Sequence, residues 1–265
     1  MFSSSSLTIK KMFKHPLSII LGSVVLCAAG LSSAATITVL PGDANWVSPP
    51  SENTGGGSST INSTAPRSGN GSVELHGDRT RLFGLGNPFS PGSNLGLLSS
   101  VSGFKFDWMV STAGGGNPAT YSPALRLHIW DGEQRSELIW ENAYNGPTPI
   151  ALGTWYTTGN TDNFWRFQTG IGDSLVYNRS ISQWSTNGYS ANAYISAISV
   201  GAGSSAGAGY VASADNVTIN FGTAGSTTFN FEAAPTGRVP DSGSTLTLLG
   251  CAMAGLAGFA RKSRK

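Results

Sequence analysis

Glu137 and Glu141 stand four residues apart with Ile139 midway, in the run Glu137-Leu138-Ile139-Trp140-Glu141. Two carboxylates on one strand face are the equipment of glycoside hydrolysis, where one acts as acid and the other as base or nucleophile. Spacing argues against that use here. At about 3.3 Å per strand residue the pair lies about 13 Å apart, beyond the separation of about 5 to 9.5 Å that hydrolysis requires. Histidine offers little more: His15 belongs to the basic start of the chain, and neither His76 nor His128 has a His or Glu at zincin spacing. Strand alternation turns both outward, as solvated or rim residues. A Gly-x-Ser-x-Gly match at Gly203-Ser204-Ser205-Ala206-Gly207 would make Ser205 a nucleophile if a helix and a later His followed. No His follows, so the stretch reads as a loop. The overlapping dinucleotide-like pattern from Gly201 fails as well, since neither a helix nor a βαβ unit surrounds it. Cys27 and Cys251 sit in apolar end segments, which leaves the interior without a disulfide, a thiol nucleophile or a Cys-bound zinc. No catalytic residue is assigned, and the chain reads as a non-enzyme.

Sugar recognition is the chemistry that the residue types support. Arg126, His128 and Trp130 alternate with Leu125, Leu127 and Ile129, so the three share one strand face. Aromatic rings stack on the apolar face of a pyranose, and guanidinium groups reach its hydroxyls. Trp155 and Trp165, from neighbouring strands, complete a set of five candidate carbohydrate-binding residues. A purely structural assignment competes, in which Trp130 covers a hydrophobic edge beside the turn at Asp131-Gly132. Trp108 is in phase with Phe104 and Phe106 and belongs to the core. Asp215, just before the strand-like Val217-Thr218-Ile219-Asn220-Phe221, is the candidate ligand of a structural calcium ion. Asp215-Asn216 is equally ordinary turn chemistry. No other cofactor is expected.

These side chains must be positioned by strands. The chain has 265 residues, of which 39% are hydrophobic, too apolar for disorder, and only 11% charged, with 35 glycines. Apolar residues fall at every second place in Phe104-Lys105-Phe106-Asp107-Trp108-Met109-Val110, as a half-buried strand requires. Similar alternation recurs around Val73, Leu125, Val217 and Phe229. Asp131-Gly132, Asn145-Gly146 and Asn187-Gly188 supply turn signals between strands. No stretch keeps a 3.6-residue apolar period for three turns. The pattern predicts an all-β fold, an antiparallel two-sheet β-sandwich of jelly-roll type over residues 36–235, with mobile Gly/Ser segments at 54–60 and 201–209.

The two ends carry different information. Lys10, Lys11 and Lys14 precede an apolar run at 17–30 and the small residues Ser33-Ala34-Ala35, the three zones of a signal peptide over residues 1–35, cut before Thr36. At the other end an apolar run at 246–260 meets Arg261-Lys262-Ser263-Arg264-Lys265. At about 1.5 Å per residue it needs the preceding residues, from about 242, to cross a core of about 30 Å as a transmembrane helix. The basic tail then stays cytoplasmic. Residues 36–238 hold nine basic and thirteen acidic side chains, so the body is near −4 and gives no reason to expect nucleic acid as a partner.

Directly before that helix stands Val239-Pro240-Asp241-Ser242-Gly243. With the short span and basic tail, residues 236–265 resemble the PEP-CTERM class of sorting signals, in its VPDSG variant. Pro240 and Gly243 interrupt helix and leave an extended stretch at the membrane surface. The resemblance implies a membrane-embedded exosortase-like partner in a Gram-negative-type bacterium, transient anchoring in the inner membrane, and delivery to the cell surface or extracellular matrix. Phrases such as Pro123-Ala124-Leu125-Arg126-Leu127 and Ala214-Asp215-Asn216-Val217-Thr218-Ile219 are similar to those of PEP-CTERM surface proteins with lectin-like sandwiches. The expected activity is binding of extracellular polysaccharide without catalysis; the alternatives are a purely structural matrix component and, third, a polysaccharide hydrolase.

Overall fold

A computed structural model describes residues 33–115 and 120–234. Residues 1–32 of the expected signal peptide, and the sorting tail with its expected transmembrane helix, lie outside the described residues. Among those described, no helix is long and apolar enough to cross a membrane.

In chain order the strands are β1 (Ala34–Val39), β2 (Trp46–Val47), β3 (Ser58–Asn62), β4 (Ser72–His76) and β5 (Thr80–Gly84). After them come β6 (Gly96–Leu97), β7 (Gly103–Thr112), β8 (Ala124–Asp131), β9 (Gln134–Trp140) and β10 (Tyr156–Thr157). The last group is β11 (Trp165–Gln168), β12 (Gly172–Asp173), the helix α1 (Ile181–Asn187), β13 (Tyr194–Ala202), β14 (Val211–Asn220) and β15 (Ser226–Phe231). They form two sheets, as the alternation predicts. In sheet I, β14 pairs β7 on one side, while its first half pairs β4 and its second half β15 on the other. β3 and β10 extend the edges, and β1 joins β15 in parallel. Sheet II runs β12-β11-β9-β8-β13-β5-β2, with β6 against the start of β13. All pairings except β1 with β15 are antiparallel. The expected cut before Thr36 falls inside β1, whose last four residues, Thr36 to Val39, retain their partners Thr228 to Phe231.

One core fills the space between the sheets. Phe104, Phe106, Trp108 and Val110 point into it from sheet I, and Leu125, Leu127, Ile129, Leu138 and Trp140 from sheet II. Aromatic rings join the two layers. Trp140 meets Phe106 edge-on at 5.3 Å and Trp108 at 5.7 Å, and Trp46 meets Phe231 at 4.7 Å. The body has no disulfide, and these ring contacts join the two layers across the core. Trp108 is therefore a core residue, as its phase predicts.

Turn chemistry departs from expectation at two places. Gly132 and Glu133 make the two-residue turn of the β8–β9 hairpin, with Asp131 paired to Gln134 and Gly132 at φ +61°. Asn187-Gly188 instead ends α1, where the Gly188 N–H donates to the Trp184 carbonyl at 2.8 Å and φ is −131°. Gly146 is needed for space, because a Cβ there would lie 1.7 Å from the Asn142 side chain. Of the two segments expected to be mobile loops, β3 begins within the first and β13 runs into the second as far as Ala202.

Trp140→Ala would leave a large void at the junction of the layers and strip a partner from Asp162, which accepts the indole N–H at 2.8 Å. A loss of about 3–5 kcal/mol is expected in urea unfolding; a loss below about 1 kcal/mol would contradict the role given to this ring.

Candidate functional site

The outward face of sheet II carries the polar residues of four neighbouring strands. Cross-strand partners share a face, and the register places Arg126 opposite Ser199, His128 opposite Glu137, and Trp165 opposite Ile139. Arg81 lies opposite Gly201. β13 thus offers only small side chains, Ser199 and Gly201, between the long residues of β5 and β8. A Cβ on Gly201 would lie 2.0 Å from the Thr80 carbonyl oxygen, so glycine is required for β5 to pack so closely. Over the bare strip Arg81 reaches Glu137, three strands away.

Glu137 is the hub of this face. Its Oε1 accepts from Arg135 Nη2 at 2.7 Å and from Arg81 Nη1 at 3.2 Å. Arg126 Nε lies 3.7 Å from the other oxygen, and His128 Nδ1 lies 3.6 Å from the first. Burial alone would raise this carboxyl, but the surrounding His128, Arg81, Arg126 and Arg135 outweigh it and hold the pKa at about 2. A second carboxylate, Glu52, accepts from Arg79 at 3.1 Å and lies 3.4 Å from Arg81. Glu141 accepts the Trp165 indole N–H at 3.2 Å. Its carboxyl is pushed up by burial, against the pull of Arg126 and the indole N–H. Together with Phe89, Tyr121, Ile139 and Phe167 these groups line a cleft of about 410 Å³.

Two of the five candidate sugar-binding residues, Arg126 and Trp165, line this cleft. His128 does not face solvent as alternation suggests: it is 0% exposed, with Nε2 hydrogen-bonded to Ser199 Oγ at 2.9 Å and its ring 5.2 Å from Phe83. Phe89 covers this side of the sheet, 5.9 Å from Phe83 and 4.7 Å from the Arg135 guanidinium. The expectation fails because alternation reports a face, not what later folds over it. His76 does stay at the rim, half-exposed and paired with Glu74 at 2.8 Å. Trp130 lies near the end of β8, opposite Tyr194 and Arg135, and does not itself line the cleft although Arg135 does. Trp155 is remote from these residues, beside β10 of sheet I, with Arg67 over its ring at 5.7 Å. Arg81, Arg135, Glu52 and Phe89 were not singled out from sequence, although Thr80-Arg81-Leu82-Phe83 and Gln134-Arg135-Ser136-Glu137 show the same alternation that marked Arg126.

Asp215, the residue expected to ligate calcium, is held by backbone donors. Fully buried, it accepts backbone N–H groups from Asn216 at 2.7 Å, Phe231 at 2.9 Å and Ser68 at 3.0 Å. Donors engage both of its oxygens. Burial raises its pKa to about 6 against those same bonds. Among the described residues no group of three or more His, Cys, Asp or Glu gathers as a metal would need. Ser205 is exposed in the loop between β13 and β14, which continues as strand and not as helix.

Residues 238–263 match the VPDSG-CTERM motif family, and no curated protein matches the chain. The motif marks an exported protein with a PEP-CTERM-type sorting signal, passed through the membrane and processed by an exosortase-like enzyme. The match is confined to the tail and says nothing of the sandwich.

Burial, and then the neighbouring arginines, lower the His128 pKa from 6.5 to about 3, against the pull of Glu137. Between those pH values the unfolded chain binds a proton that the folded chain refuses, so stability falls as pH drops through that window. Asp215 acts in the opposite direction between 3.8 and about 6, so the histidine is isolated by comparison with His128→Gln. From pH 7 to pH 5 the parent is expected to lose about 2 kcal/mol more than the variant in urea unfolding. Equal losses would show that His128 is not a buried neutral group.

Proposed function

We propose that the protein is an exported cell-surface or matrix component whose sandwich, a jelly roll in which successive strands cross between the sheets, binds extracellular polysaccharide without catalysis at the cleft of sheet II. The observation that carries this reading is the cleft itself. Seven charged side chains crowd a sheet face that apolar residues would cover at less cost, because buried ion pairs are a poor way to gain stability. Trp165 and Phe167 flank the charges with ring surface, the combination by which proteins grip a pyranose. The rim supplies aromatic faces and the floor supplies donors.

Binding is favoured over hydrolysis by the state of Glu137 and by the residue that separates it from Glu141. Glu137 is held ionised by the arginines around it, two of which donate to its Oε1, so it has no proton to donate. Ile139 occupies the position at which a cooperating acid would stand. A structural matrix role stands as the alternative if no glycan binds.

Trp165→Ala is expected to weaken glycan binding by the full-length protein in detergent at least tenfold while the protein stays folded, whereas Trp130→Ala leaves binding unchanged, both measured by calorimetric titration against a polysaccharide panel. The reverse ranking would move the site to the far end of β8. For the tail, replacing Pro240, Asp241 and Ser242 together by alanine is expected to hold the full-length form in the membrane fraction on immunoblots. Release of a shortened form at the parental level would contradict sorting through this motif.

A further inference from the structure

We propose that the cleft of sheet II selects a carboxylate-bearing sugar, the uronate unit of an acidic polysaccharide, with the carboxylate received by Arg126 and the ring by Trp165. This rests on the glycan-binding reading above and narrows it to a class of ligand.

Charge is the first argument. Four of the eight arginines in residues 36–238 line a single cleft against three glutamates, although that body is near −4 as a whole. Arg135 and Arg81 are committed to Glu137 by hydrogen bonds. Arg126 is not: its side chain is 3% exposed, its Nε and Nη1 find no hydrogen-bond acceptor, and its nearest carboxylate oxygen is 3.7 Å away. An arginine so buried and so incompletely paired is costly, and an anion delivered into the cleft would offset that cost. Its pKa reflects the shortfall. Burial and the repulsion of Arg81 bring it down to about 10, against the pull of Glu137 and Glu141.

The second argument concerns what else would fit. A neutral sugar brings hydroxyls, which leave the cationic excess uncompensated. A uronate brings a planar carboxylate that matches the guanidinium fork, on a ring whose apolar face suits Trp165 beside it. The negative body repels a polyanion at long range, so an acidic chain would be held only where this local reversal of sign occurs.

The test compares polygalacturonate, alginate and hyaluronate with their carboxyl-reduced counterparts, by calorimetric titration of the full-length protein in detergent. At least one acidic polymer is expected to bind ten times more tightly than its reduced form, the preference disappearing in Arg126→Gln while Trp165→Ala weakens both forms alike. The ligand pairs keep the proposal falsifiable should Arg126→Gln fail to fold. Equal affinity for every acidic polymer and its reduced form would overturn the acidic-sugar assignment and leave the glycan-binding reading standing. No binding by any polymer, acidic, reduced or neutral, would overturn both.

Discussion

The outer face of sheet II depends on one buried carboxylate. Glu137 sits where three arginine side chains and a histidine converge, and its ionisation allows Arg81, Arg126 and Arg135 to lie together on a strand surface that has little water. Without a negative charge at that point the guanidinium groups would repel one another in a medium of low polarity, where such repulsion is strong. The geometry that permits the convergence is modest: β13 contributes Ser199 and Gly201 where larger residues would separate β5 from β8 and β9. Small residues in one strand thus decide what charges in three others can do.

The same economy governs the rest of the body. A chain with two cysteines, both in its end segments, has no cross-link to hold its layers, and the work falls to Trp46, Trp108 and Trp140 meeting partners across the core. Seven of the 22 charged residues at 36–238 line this one cleft, four of them arginines. Five of the six lysines lie in the end segments, whereas eight of the ten arginines lie at 36–238, a region that is nevertheless near −4.

Much of the fold was legible from alternation alone. The two-residue period in β7 and β8 assigned Trp108 to the core and Arg126 to the opposite face, because a strand's side-chain period is set by its backbone. The helix α1 was missed since it has barely two turns, although Ser180 and Gln183 form a capping box that three-residue spacing signals. The site was only half legible. Arg126 and Trp165 were found from residue type and phase, but Trp130 and Trp155 were grouped with them when position along a strand and choice of sheet set them apart. Which strands become neighbours is decided by pairings over long sequence distances, as between Arg81 and Glu137, and no local pattern encodes that. His128 illustrates the other limit: its phase suggested a rim, whereas burial makes it an internal fixture.

The measurement that bears most directly on this account is the stability of Glu137→Gln, which keeps the shape of the hub and removes its charge. Urea unfolding at pH 7 is predicted to show a loss of about 3–5 kcal/mol, as expected when a buried ion cluster loses one partner and strands the others. A variant as stable as the parent would contradict the claim that an ionised Glu137 assembles the arginines of sheet II.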